Sequence, residues 1–224
     1  MRSAGSTPAG DFERVLSADE LRRAHAFRNE DDARAFAVTR GALRVLLARY
    51  LRSAPAALRF VEGPYGKPAL PDASVHFNAS HSGGLALLAL SPDRELGVDI
   101  EAIRALDAPQ RVAGEFMCAR ELAQWNALPP RARDVAFFRT WTQKEAVIKA
   151  LGVSTAAASE VCVDVRATGE PRLLSVGDDA GEAAALSVHD IAAAPGYAAA
   201  LAYRGARCEL RIASLADAAT LFAQ

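Results

Sequence analysis

Gly97-Val98-Asp99-Ile100-Glu101 is the stretch on which the reading of this 224-residue chain turns. Successive side chains of a strand face opposite sides. Val98 and Ile100 therefore point toward a core, and Asp99 and Glu101 point the other way, side by side. Two readings are open for the acidic pair. It is the solvated end of a strand, or it is part of a hard-cation site, because Mg²⁺ takes oxygen ligands and keeps waters or substrate phosphates. Gly97 weakens the strand slightly and allows a close backbone approach.

Around this stretch the pattern has period two. Strands are predicted over 58–61, 75–77, 85–90 and 96–100, joined by turns rich in Gly, Pro, Ser and Asp. Before them, Ser17-Ala18-Asp19-Glu20 reads as a capping box opening a short helix. A longer helix is expected over 31–52, with Phe36, Leu43, Leu46, Leu47 and Leu51 at helical spacing. After them, helices are expected over 108–127 and 133–151, the second ending at Gly152. Further strands follow over 161–165, 172–176, 185–188 and 198–202, with a weaker one over 208–212. Helices, strands, helices, strands in that order describe a mixed α+β chain of two similar lobes. Residues 1–10 read as a flexible tail, 11–104 as an N-terminal lobe and 105–224 as a C-terminal lobe, with the boundary near 102–107.

Composition narrows the function. Hydrophobic residues make up 51% of the chain, enough for a packed core, and the net charge is −1. That balance disfavours a general nucleic-acid binder, and the acids Glu30, Asp31 and Asp32 dilute the N-terminal arginines. No run is long enough for a membrane span, and residues 1–10 have no apolar stretch of the signal-peptide kind. Three cysteines without C-x-x-C spacing predict neither a disulfide framework nor a zinc site, which fits a cytoplasmic protein. The 26 basic residues divide into 23 arginines and three lysines, Lys67, Lys144 and Lys149. A coding bias that turns surface lysine into arginine leaves lysine where an ammonium is required.

Two of those lysines lie in Trp141-Thr142-Gln143-Lys144-Glu145-Ala146-Val147-Ile148-Lys149. On a helix Trp141, Glu145 and Lys149 share a face. This is an ordinary surface Glu–Lys pair, or a carboxylate flanked by ammonium groups for a metal–phosphate site. Phe77-Asn78-Ala79-Ser80-His81-Ser82-Gly83-Gly84 offers Ser and His side chains that can hold anionic oxygens. A Ser–His nucleophile pair is disfavoured there, since neighbours on an extended segment face opposite ways and no Asp partner is identifiable. Tyr65-Gly66-Lys67-Pro68 holds the third lysine, as a solvated hairpin tip or as a cation beside a bound anion.

In combination the motifs resemble the Sfp-type 4′-phosphopantetheinyl transferases. Gly66-Lys67-Pro68, Phe77-Asn78-x-Ser80-His81-Ser82, Gly97-x-Asp99-x-Glu101 and Trp141-x-x-Lys144-Glu145-Ala146-x-x-Lys149 occur in the family's order, within a likeness running from about Arg23 to Tyr203. The resemblance implies two similar lobes with a pseudo-two-fold relation and a site in the cleft between them. It implies transfer of the phosphopantetheine arm of coenzyme A to a serine of an apo acyl or peptidyl carrier protein, with Mg²⁺, releasing adenosine 3′,5′-bisphosphate. By motif, Asp99, Glu101 and Glu145 would hold the metal, with Glu121 a further acid near it. Glu145 and Lys149 would be catalytic. Lys67, Ser80, His81, Lys144, Lys149 and Arg23 would bind coenzyme A, with Arg34 and Arg40 as further candidates. A cytoplasmic monomer with neither nucleic acid nor membrane as partner is expected. The alternative is a non-catalytic coenzyme A or carrier-binding module of the same fold. The chain departs from the family in Ala150-Leu151-Gly152-Val153-Ser154-Thr155-Ala156-Ala157-Ala158, where a Gly-Leu turn is usual. It departs again at Glu20 and Ala35, where a base can stand.

Overall fold

A computed structural model describes residues 9–72, 74–177, 179–214 and 221. Contacts divide the chain into two compact units, 1–59 with 209–224, and 60–208. In the first unit, helices α1 (Ala9–Glu13) and α2 (Ala18–His25) each pack on α3 (Glu30–Leu51). The predicted capping box is present: Ser17 Oγ accepts from the Glu20 amide and Glu20 accepts from the Ser17 amide. Glu20 also receives Arg44 Nε at 2.6 Å, and the buried Arg44 guanidinium donates to the carbonyls of Pro55 and Leu58. This satisfies a charge that burial would otherwise make costly. The tail expected over 1–10 lies mostly outside the described residues, and its last two residues belong to α1.

The second unit opens with two short strands, β1 (Val61–Glu62) and β2 (Pro68–Ala69), paired antiparallel. A hairpin of β3 (His76–Ser82) and β4 (Leu85–Ser91) follows, turning at Gly83 and Gly84, both at positive φ. Next come β5 (Leu96–Ala102), α4 (Pro109–Phe116), α5 (Ala119–Asn126) and α6 (Pro130–Leu151). Then follow β6 (Val161–Val163), β7 (Leu173–Val176), α7 (Ala180–Ala184), β8 (Leu186–Asp190) and β9 (Tyr197–Arg204). The fold is mixed α+β, as the block order predicts. β5, β9 and β8 form an antiparallel sheet in that order, with Asp99 opposite Ala200 and Glu101 opposite Ala198. The boundary expected near 102–107 falls inside this unit, since β5 pairs along its length with β9. Residues 208–212 form no strand.

Helix α6 lies across the sheet and organises the core. Its Phe137, Phe138, Ala146, Val147 and Ile148 pack with Leu186, Val188, Ala200 and Ala202. The sheet face toward α6 is lined by small residues, and Gly97 is the closest point. A Cβ on Gly97 would collide with Ala146 O and Ala150 N of the helix backbone. Gly97, Asp99 and Glu101 share that face by strand alternation. The expectation that the acidic pair turns away from the core is therefore corrected: both sides of β5 are covered, and the acids lie on the side of α6.

The helix expected over 108–127 is two helices. Met117 is extended, and Cys118 caps α5 while its amide donates to Glu121 at 2.8 Å. Helix α6 starts at Pro130, where proline suits the first turn, and ends at Gly152 with φ 64°. Cys118 and Cys162 form a disulfide, with Cα atoms 6.1 Å apart across 44 residues of sequence. The expectation of unpaired cysteines is thereby corrected. The pairing arises because the start of α5 meets β6, a contact that local spacing does not encode. Among the described residues no helix is long and apolar enough to cross a membrane.

Candidate active site

The acidic group assembles from two elements. β5 supplies Asp99 and Glu101, and α6 supplies Glu145 and Lys149 one turn apart. Because Gly97 lets the helix backbone close on the strand, these side chains meet without an intervening apolar layer. Lys149 Nζ donates to Asp99 Oδ1 at 2.6 Å, and Ser80 Oγ donates to the same oxygen at 2.8 Å. Asp99 Oδ2 is buried and takes no hydrogen bond among the described residues. An unpaired buried carboxylate oxygen costs free energy comparable to a lost charged hydrogen bond.

Neighbouring charges sharpen the case. Burial pushes the Glu145 carboxyl above its ordinary range; Lys149 opposes that rise, and Asp99 and Glu101 add to it. Glu101 is also raised, first by burial and then by Asp99, against the Ser82 hydroxyl, Arg104 and Lys149. Three carboxylates with one ammonium are thus held close at a cost. An all-oxygen donor set with an unfilled buried oxygen is what a hard divalent cation requires. Asp99, Glu101 and Glu145 match such an ion in donor chemistry, although their oxygens do not all lie within 4.8 Å of one another and would have to draw together around it.

Strand β3 stitches this arrangement together. It makes no backbone ladder with β5; alternate side chains cross the gap instead. Asn78 Oδ1 accepts from the Val98 amide, Ser80 bonds Asp99, and Ser82 Oγ donates to Glu101 Oε2 at 2.9 Å while accepting from the Ala102 amide. Asn78 thus serves the edge of β5. Ser82 has no role assigned from sequence. The signal was present as a period-two series, Asn78-x-Ser80-x-Ser82, beside the period-two pair Asp99-x-Glu101.

A cleft of about 710 Å³ lies beside the acidic group, lined by residues 63–70, 75–79, 95 and 148–155. Lys149 belongs to both. Lys67 also lines it, donating to Glu95 Oε2 at 2.8 Å and to the Leu96 carbonyl. Partial burial raises the Glu95 carboxyl, but bonds from Lys67 and His76 outweigh this and hold it below its ordinary value. Lys67 is therefore an anchored cation and not a solvated hairpin tip. Residues 150–155, where the chain departs from the expected family pattern, form one wall.

Other predicted residues stand elsewhere. Lys144 is fully buried, donating to Glu121 Oε2 at 2.5 Å and to the Phe116 carbonyl at 2.9 Å, with its ammonium 4.8 Å from the Phe116 ring centre. The expected place of Lys144 in the nucleotide site is corrected, because it lies one residue from Glu145 and so on a different side of α6. Glu121 likewise sits in this sealed pair, its other oxygen accepting from the Val163 amide. Trp141 stacks on Phe116 at 4.2 Å. His81 is exposed on β3. Arg23 belongs to the first unit, with its guanidinium 5.4 Å from the Phe36 ring. Arg40 pairs with Glu20 at 3.6 Å.

Comparison with known proteins places this arrangement in a family. The model of the 4′-phosphopantetheinyl transferase superfamily matches residues 95–202, from the acidic strand to the end of the sheet. The 4′-phosphopantetheinyl transferase HetI of Nostoc sp. is 36% identical over 167 residues, covering 73% of this chain and 70% of HetI. The chain belongs to the 4′-phosphopantetheinyl transferase superfamily. The Synechocystis sp. protein slr0495 is 37% identical over 144 residues, 63% of this chain and 58% of that protein. The 4′-phosphopantetheinyl transferase AcpT of Salmonella typhimurium is 42% identical over 112 residues, half of this chain and 57% of AcpT. The chain thus matches less than two thirds of the length of slr0495 and of AcpT.

Proposed function

We propose that this chain transfers the 4′-phosphopantetheine group of coenzyme A to a serine hydroxyl of an apo acyl or peptidyl carrier protein, releasing adenosine 3′,5′-bisphosphate. The observation that carries the reading is the carboxylate group of Asp99, Glu101 and Glu145, with an unpaired Asp99 oxygen, touching Lys149 at the edge of a cleft. Family membership and the names of the relatives support the same class of reaction. The serine oxygen bonds to the phosphorus that carries pantetheine, and the bond from that phosphorus to the bridging oxygen breaks.

Asp99, Glu101 and Glu145 would hold Mg²⁺, which when bound neutralises diphosphate charge that three carboxylates alone would repel. Lys149 supplies a mobile cation where negative charge grows on the departing phosphate. Glu145 accepts the serine proton, directly or through a water, and its raised affinity for protons suits that task. Lys67 in the cleft and His81 on β3 contribute positive or hydrogen-bonding groups to the phosphates of coenzyme A, and Ser80 keeps Asp99 in place. Transfer of a phosphoryl group from a diphosphate to a hydroxyl needs mostly positioning and charge, so this short inventory suffices.

The two-lobed arrangement, 11–104 against 105–224, rests on the order of helical and strand blocks together with the likeness, and differs from the compact units 1–59 with 209–224 and 60–208; the pseudo-two-fold relation and the monomeric state rest on the likeness. A cytoplasmic location follows from the proposed substrates rather than from the cysteines. The test is to incubate the protein with apo carriers, coenzyme A and Mg²⁺ and to weigh the carriers. One phosphopantetheine unit should be gained only with all components present. No gain across acyl and peptidyl carriers would overturn the reading.

A further inference from the structure

Ser82 is the last residue of β3, at the mouth of the Gly83-Gly84 turn. The Tyr197 hydroxyl donates to the Gly83 carbonyl, and a Cβ on Gly83 would press against the Ala102 side chain. The turn is therefore seated against the paired ends of β5 and β9, and Ser82 is seated with it. Its hydroxyl has one proton. Ser82 Oγ accepts from the Ala102 amide at 3.1 Å, which uses a lone pair and leaves the proton for Glu101 Oε2 at 2.9 Å. The amide belongs to the strand that carries Glu101, so the three atoms form a closed link between β3 and the carboxylate. Arg104 approaches the same Oε2 only to 3.9 Å, from an exposed side chain. Glu101 Oε1 takes no hydrogen bond among the described residues.

We infer that Ser82 is a positioning residue: it holds Glu101 by one carboxylate oxygen so that the other faces the site shared with Asp99 and Glu145. Without the link, a half-buried glutamate facing two other carboxylates would swing toward solvent or toward Arg104. This inference rests on the proposed cation site, and it concerns metal capture rather than the transfer step. Groups that orient a metal's ligands typically account for about 10–100-fold in affinity.

The experiment is Mn²⁺ binding to the full chain, read from the electron paramagnetic resonance signal of free Mn²⁺, with and without coenzyme A. Ser82→Ala should weaken Mn²⁺ binding about 10-fold. Ser82→Thr, which keeps the hydroxyl on a strand that tolerates β-branching, should stay within about 3-fold of the wild type. In the transfer assay, Ser82→Ala should raise the metal concentration for half-maximal rate by the same factor. The KM for coenzyme A should be unchanged. If Ser82→Ala does not fold, as judged by circular dichroism and melting, Ser82→Cys with its weak donor replaces it, and weakened binding is again expected. Equal Mn²⁺ affinity in wild type and the hydroxyl-deficient variant overturns the inference, as does a wild type that binds no Mn²⁺. A wild type that binds Mn²⁺ but modifies no carrier breaks the transfer reading alone, and the affinity ratio still decides the role of Ser82.

Discussion

Helix α6 carries two lysines five residues apart, each paired with a carboxylate, and the two pairs are opposites. Lys144 and Glu121 are sealed, with neither side chain exposed. Glu121 accepts from the Cys118 and Val163 amides as well as from Lys144, and Lys144 also reaches the Phe116 carbonyl. Lys149 and Asp99 are open. The lysine is 27% exposed and lines the cleft, and one oxygen of Asp99 is buried without a partner. A buried ion pair is tolerable when its remaining hydrogen-bonding capacity is filled. The first pair is complete within the fold, and the unfilled oxygen leaves the second able to take a further partner, as the proposed function requires. Burial lowers the Lys144 ammonium's hold on its proton, and Glu121 counteracts it. That balance suits a permanent pair.

The largest effect is expected on the open side. Glu145→Gln removes the proposed proton acceptor and one cation ligand, and should cut carrier modification by about 10³-fold or more. Coenzyme A binding and the melting temperature of the cation-free protein should survive. A variant that keeps its rate would break the division between the two pairs, because Glu145 would then be no more chemical than Glu121.

The sealed side should answer in stability. Lys144→Met leaves the Glu121 carboxylate buried without its counter-charge, at a cost of about 3–5 kcal/mol. For a chain of this length that lowers the melting temperature on the order of 10 °C. The rate per folded molecule should change little. A Lys144→Met protein that melts normally but no longer binds coenzyme A would restore this lysine to the nucleotide site.

The scarcity of lysine singled out three positions whose ammonium groups are all engaged in ion pairs, but not for one common reason. Lys67 and Lys149 line the cleft, whereas Lys144 is closed in by Phe116 and Glu121. Helical spacing placed Glu145 and Lys149 together, and strand alternation placed Asp99 with Glu101. Both relations are local, and both are legible. Which face of β5 met α6 was not legible, because Val98 and Ile100 advertise one core while Gly97 advertises the other only by what it lacks. The Cys118–Cys162 link and the Glu121–Lys144 pair join residues 44 and 23 positions apart, and no local period reports such meetings.

A smaller effect, about 10²-fold in rate, is expected for Lys149→Arg. Asp99 Oδ1 receives a compact ammonium at 2.6 Å beside the Ser80 hydroxyl. A planar guanidinium keeps the charge but displaces it from that point. Full activity in this variant would mean that the open pair needs charge and not shape, and the contrast with Lys144 would then lose its geometric half.

The smallest effect is thermodynamic and has a sign. Glu101 and Glu145 both have proton affinities raised above the ordinary glutamate value of 4.5, each first through burial. Around Glu145 stand Asp99, Glu101 and Lys149, and around Glu101 stand Asp99, Arg104, Lys149 and the Ser82 hydroxyl. For an acid whose folded form holds its proton more tightly than the unfolded chain, the contribution to stability is full below the unfolded value. It is lost as pH rises through the folded one. The cation-free protein should therefore lose stability from pH 4.5 upward toward 7 through these two groups. Mg²⁺ binds only the ionised carboxylates, so it should raise the melting temperature at pH 7 by a few degrees and by almost nothing at pH 4.5. The double variant Glu101→Gln, Glu145→Gln subtracts every other titrating group and should remove both the pH trend attributed here and the Mg²⁺ shift. Equal Mg²⁺ shifts at the two pH values would mean that the cation is held elsewhere and that the unpaired oxygen of Asp99 awaits a different ligand.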